Sequence, residues 1–231
     1  MATTQAGPEG RSRRPGTDEL GTVLVGDVVD SRFDLAGASA WIRRLSAELS
    51  AIAPREQVAP FDFTQGDEVQ GLLRPTADPF RYVLEAALHE AAPAMRWVIV
   101  AGRVEAGEGS ATRRTGEAFV AARALIGEAK RRHDGLLVLS GDPTADALLD
   151  DLAPVLANSL AAMTARQRLI ARPMLLEGSR QADVAARLGV SRATVSVAYG
   201  RGRVRDAERL VRAIRHIFQA GLARRTEGYG W

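Results

Sequence analysis

The apolar positions of this chain change their period several times, and each change marks an element. Residues 21–29, GTVLVGDVV, form a short valine-rich run, the pattern of a buried strand. Trp41, Ile42, Leu45, Leu49 and Ile52 then recur at the spacing of an amphipathic helix. Residues 58–75, VAPFDFTQGDEVQGLLRP, predict two strands joined by a hairpin at Gln65-Gly66-Asp67-Glu68. Residues 78–92 are helical in composition and stop at Pro93. A buried strand over residues 95–107, a helix over 115–132 and a strand over 135–142 follow. The order β-α-β-β-α-β-α-β predicts an α+β, ferredoxin-like palm: a mostly antiparallel sheet with helices on one face. Residues 1–19 are polar, rich in Gly and Pro and without an apolar period, which predicts a disordered arm.

Beyond the palm, residues 20–142, the period is helical to the end. Leu148, Leu149, Leu152, Val155, Leu156 and Leu160 predict a linker helix over residues 143–162, packed around Pro154. Within residues 163–231, the stretch SRQADVAARLGVSRATVSVAYGRGR fits a helix-turn-helix in one register. Gly189 is the turn glycine, free to take φ > 0. Val184, Ala185 and Leu188 then face inward from the first helix, and Val190, Val195 and Ala198 from the second. Ser191 stands where an N-cap belongs. Arg192, Ala193, Thr194, Ser196, Val197 and Gly200 face outward: short side chains and one arginine, suited to base edges in a major groove. After them Val204, Ala207, Val211, Ile214 and Phe218 form a short a/d stripe, flanked by Leu210 and Ile217. It either pairs two copies or packs on its own chain.

Charge sharpens this division. Residues 163–231 hold 14 Arg against 5 acidic residues, net +9, whereas residues 1–162 hold 17 basic and 23 acidic residues, net −6. The positive excess is confined to the half with the motif, as a phosphate-binding footprint requires. Arg180, Arg201 and Arg203 are the expected phosphate contacts, and Arg192, Thr194 and Ser196 the expected base contacts. There are no cysteines, so disulfides and thiolate metal sites are excluded. The three histidines, His89, His133 and His216, lack ligand spacing. No apolar run is long enough for a membrane span and no signal-peptide core is evident, so a cytoplasmic protein is expected. Of the 31 basic residues 30 are Arg and one is Lys130, a bias that a GC-rich genome explains.

The run MTARQRLIARPMLLEGSRQADVAARLGVSRATVSVAYGRGR resembles the region-4-type helix-turn-helix of sigma factors and many bacterial regulators. That resemblance implies a preceding helix over about residues 165–176, capped by Thr164 and ended by Gly178. VLVGDVVDSR followed by QGDEVQGLL resembles the SatD family, and the order of motifs is similar to class III nucleotidyl cyclases. The cyclase resemblance implies that Asp27 and Asp67 hold two metal ions, with Glu68 or Asp30 supplementing them. Such a carboxylate pair bridges two Mg²⁺ that neutralise a triphosphate and activate the attacking hydroxyl. Arg32, Arg103, Arg113 and Arg114 stand near strand ends and loops, the residue type that clamps phosphate. The helical run GEAFVAAR retains Arg123 but is one residue shorter than its cyclase counterpart and carries no Asn, and no Lys precedes Lys130. The catalytic set is therefore expected to be incomplete.

The expectation is a non-enzymatic transcriptional regulator. Its helix-turn-helix reads double-stranded DNA through Arg180, Ser191, Arg192, Ala193, Thr194, Ser196, Val197, Arg201 and Arg203. Its palm binds a nucleotide second messenger, with Mg²⁺ a possible companion, through Asp27, Asp30, Arg32, Asp67, Glu68, Arg103 and Arg123. A homodimer would set two recognition helices on a pseudo-palindromic operator. The alternatives are an active cyclase with a DNA-binding tail and a ligand-independent DNA-binding dimer.

Overall fold

The computed structural model describes residues 19–63 and 66–228, so most of the expected arm over residues 1–19 and Gln65 of the hairpin lie outside the described residues. The centre of the structure is β1, Glu19–Val28, whose residues 21–28 are all buried. Its alternation sends Leu24 and Val28 to one face of the sheet and Val23 and Val25 to the other, so both faces need cover. β3, Glu68–Leu73, and β4, Met95–Val104, flank β1, each antiparallel to it. β2, Gln57–Phe63, pairs with β3, and β5, Leu136–Leu139, runs parallel to β4. The order β2-β3-β1-β4-β5 is the ferredoxin-like arrangement extended by one strand.

The helices divide between the two faces rather than sharing one. α1, Leu35–Ala51, and α2, Pro79–Ala87, cover the face of Leu24 and Val28, each started by an aspartate N-cap, Asp34 and Asp78. α3, Glu117–Arg132, covers the opposite face. Its buried residues are Ala118, Ala122, Ile126 and Ala129, three of them small, which lets helix and sheet approach closely. A sheet with apolar side chains on both faces cannot leave one to water, and alternation along a single strand does not show which helix takes which side.

α4, Pro143–Ala161, crosses to the helical half as one helix, with Asp142 as N-cap and Pro154 inside it. α5, Ala165–Glu177, opens with a capping box between Thr164 and Gln167 and closes at Gly178. α6, Gln181–Leu188, and α7, Arg192–Arg201, form the helix-turn-helix in the expected register. Gly189 holds φ 62° between them, and the Ser191 hydroxyl accepts the Thr194 backbone N–H at 3.1 Å. Ile170, Met174, Val184, Ala185 and Val195 make its small core, with Leu188, Val190 and Ala198 packed against it.

The a/d stripe belongs to α8, Val204–Gly228, and it packs within its own chain. Val204, Ala207, Val211, Ile214, Phe218 and Leu222 are buried in the same cluster as Leu24, Trp97 and Val138 of the sheet. Phe218 meets Phe80 of α2 edge to face, with ring centroids 5.6 Å apart. Arg225 donates to the Ala101 carbonyl of β4 at 2.8 Å. This stripe is therefore core and not a surface for pairing two copies.

Candidate functional site

The recognition surface follows from the fold of α7. Burying Val195 against α5 and α6 turns the rest of α7 outward. Ser191, Arg192, Ala193, Ser196, Val197 and Gly200 are exposed, Val197 presenting an apolar side chain at 53 % exposure. Thr194 is half-buried, and its hydroxyl lies 2.9 Å from that of Ser191, so part of its hydrogen-bonding capacity serves the cap. Arg180 and Arg203 are exposed at the ends of α6 and α7, although Arg203 pairs with Asp206 at 3.0 Å. Neither Arg192 nor Arg201 pairs with a carboxylate among the described residues. Elsewhere in the helical half arginines are committed internally: Arg187 to Glu177, Arg215 to Asp78 and Arg172 to Glu85. Among the described residues, exposed arginines without an ion pair thus stand on α7 (Arg192, Arg201), and also on α5 (Arg166) and α8 (Arg205, Arg209, Arg212).

In the palm, the sheet brings Asp27, Asp67 and Glu68 together at one end. Glu68 is the cross-strand partner of Asp27, and the Val28 N–H donates to the Asp67 carbonyl at 3.1 Å. The Ser31 hydroxyl donates to the Asp67 carboxylate. Asp27 is almost wholly buried, and burial pushes its carboxyl above the ordinary range, against the pull of the Lys130 ammonium that donates to it at 2.7 Å. Arg96, opposite Asp27 on β4, is 3.9 Å away. Asp27 Oδ1 is thus held by Lys130. Asp27 is a buried carboxylate neutralised by the protein's own cation.

The other expected palm residues lie apart. Asp30 and Arg32 are exposed on the turn after β1, where the Arg32 guanidinium lies 5.0 Å from the Phe33 ring centroid. Arg103 pairs across from Leu20, at the far end of β1 from Asp27. Arg123 lines a groove of about 490 Å³ between α3 and the sheet, with Glu68, Gln70, Thr112, Arg114 and Phe119. Arg114 Nε is buried there without a hydrogen-bond partner. Nearby, the Ser110 and Thr112 hydroxyls donate to Asp62 at 2.6 and 2.7 Å and hold its carboxyl below the ordinary range. Sequence reasoning overlooked Lys130 as a partner of Asp27. Its signal was its rarity: the one lysine among 30 arginines places a compact point charge at a spot where a planar guanidinium has a different shape.

No protein-family model matches the chain, and no curated protein matches it. Among solved structures it is similar to the crystal structure of the regulator of polyketide synthase expression from Bifidobacterium adolescentis, at 15 % identity and a TM-score of 0.23. That similarity spans 90 % of this chain and 82 % of the other. Identity and superposition are both low, and the comparison supplies no residue of the site.

Proposed function

We propose that this protein is a DNA-binding transcriptional regulator. The observation that carries the reading is α7 itself: an exposed helix face of small side chains and an uncommitted Arg192, held by a helix-turn-helix core, with Arg180, Arg201 and Arg203 exposed around it. Arg192 and Ser196, with the Val197 side chain for a thymine methyl, read base edges, while Arg180, Arg201 and Arg203 take phosphates. One such helix reads one half-site, so the DNA-bound form in this reading is a homodimer. Arg192→Ala weakens binding to a selected operator by about 1–3 kcal/mol and leaves binding to random DNA nearly unchanged. Arg201→Ala weakens both and lowers the salt dependence by about one counterion. Equal losses for Arg192→Ala on operator and random DNA would remove its base-reading role.

For the palm, the resemblance to the SatD family and to nucleotidyl cyclases supports a nucleotide ligand, and the groove over α3 is the place for it. Arg123 and the unpartnered Arg114 Nε offer donors to phosphate, and Phe119 offers a face for a base. With Asp27 neutralised by Lys130, the palm in this reading senses a nucleotide and does not turn it over. Thermal-shift screening against ATP, GTP, cyclic mononucleotides and cyclic dinucleotides gives a selective rise in Tm that Arg123→Ala removes. A flat response to all of them would leave the palm as scaffold.

A further inference from the structure

The inner face of α8 is the buried stripe from Val204 to Leu222. On its outer face Arg205, Arg209, Arg212 and His216 recur at spacings of four, three and four, which sets them all along one side of the helix. All four are exposed. Among the described residues none of the three arginines pairs with a carboxylate, whereas Arg187 pairs with Glu177 and Arg224 with Asp142. The sequence explains the difference. α8 has two acidic residues near its start, Asp206 and Glu208, and residues 209–226 contain none. Asp206 is held by Arg203, and Glu208 accepts from the Tyr199 hydroxyl of α7 at 3.2 Å. A solvated helix face ordinarily mixes both signs. This one carries a single sign, and like charges at such spacings destabilise their own helix. A polyanion laid along the face removes that repulsion. The stripe also begins where α7 ends: only Gly202 and Arg203 separate the two helices, with Arg203 at φ 50°. Burial and Glu208 hold the Tyr199 hydroxyl above its ordinary range, while the charges of Arg205 and Arg209 act in the opposite sense, which places both beside the last turn of α7.

We propose that the outer face of α8 is a second DNA contact. Arg205, Arg209 and Arg212 take phosphates of the duplex that flanks the base pairs read by α7, and His216 ends the line as a further donor. From Arg205 to His216 the helix runs about 16 Å, a length over which one DNA strand presents about five phosphates. The inference rests on the DNA-binding reading and extends it, from the bases under one recognition helix to the backbone beyond them. Contacts to phosphate carry no sequence information. The stripe therefore sets affinity and salt dependence and leaves operator choice to α7.

The test uses the full chain with Arg205→Gln, Arg209→Gln and Arg212→Gln combined, positions whose exposure keeps the fold intact. Binding to selected operator and to random duplexes is followed by fluorescence anisotropy from about 50 to 200 mM salt. The slope of log K against log salt falls by about two to three. Affinity drops about tenfold or more, by the same factor on operator and random DNA, so the ratio between them is kept. Wild-type protein gains affinity when the operator duplex is lengthened by about five base pairs past the half-site, and the variant does not. Lysine at all three positions restores the slope, since phosphate needs the charge more than the planar fork. An unchanged slope in a protein that still selects its operator overturns the proposal, leaves the helix-turn-helix reading standing and points the stripe at an acidic protein surface. Loss of operator preference with the three arginines overturns it as well. Failure of the wild-type chain to bind any duplex removes both readings together.

Discussion

At the scale of single residues, the pair of Asp27 and Lys130 sets the character of the palm. The Asp27 side chain is 4 % exposed and the Lys130 side chain 47 %, so one partner has left water and the other has not. Removing the half-hydrated cation strands the buried anion. Lys130→Met lowers stability by about 1–2 kcal/mol, less than the ~3–5 kcal/mol of breaking a fully buried pair, because solvent already screens the ammonium. Lys130→Met combined with Asp27→Asn recovers most of the loss in urea denaturation, and additive losses would show that the two do not couple. The pH dependence has a defined sign. Burial raises the Asp27 carboxyl in the folded state, so the folded protein holds its proton more tightly than the unfolded one. The deficit of Lys130→Met therefore shrinks as pH falls through that raised value toward the ordinary carboxylate range.

At the scale of elements, what the sequence revealed depends on where each element finds its partner. The helix-turn-helix was legible to the residue, because Gly189, Ser191, Val184 and Val195 satisfy each other within about a dozen positions. The strand order was legible for a similar reason, since hairpin and crossover connections leave few topologies. The side of the sheet taken by α3 was not, because its alanine face fits any flat apolar surface. Nor was the fate of the stripe on α8, since 3-4 spacing looks the same whether it faces a second copy or the chain's own α4 and α2. Of the palm site, Asp27, Asp67 and Glu68 were readable as a group, while Lys130 pairs with Asp27 from another layer across 103 positions of sequence. Phe218 tests the placement of α8. It is wholly buried against Phe80, and Phe218→Ala lowers global stability by about 3–5 kcal/mol. A surface stripe reserved for dimerisation would instead leave monomer stability unchanged and shift the association constant.

For the whole molecule, α5 is the shared part. Ala171 and Leu175 enter the large core with the sheet, while Ile170 and Met174 enter the small core of the helix-turn-helix. Arg172 adds an ion pair to Glu85 of α2, and Arg168 holds the turn after α2. No described helix is long and apolar enough to cross a membrane. A displacement at the end of α2 is thus felt directly by the helix against which α6 and α7 pack.

The packing of α8 on α4 also fixes an order of events at the ribosome. The five described strands, α2 and α4 are made before α5, α6 and α7, and the helix that packs on α4 and against Phe80 of α2 is made after them. While the chain is still growing, the apolar side of α4 and Phe80 of α2 wait for a cover that has not been synthesised, so the large core cannot close ahead of the helical half. Both halves complete their cores together, and a nascent chain that stalls before Val204 presents an uncovered apolar surface to chaperones.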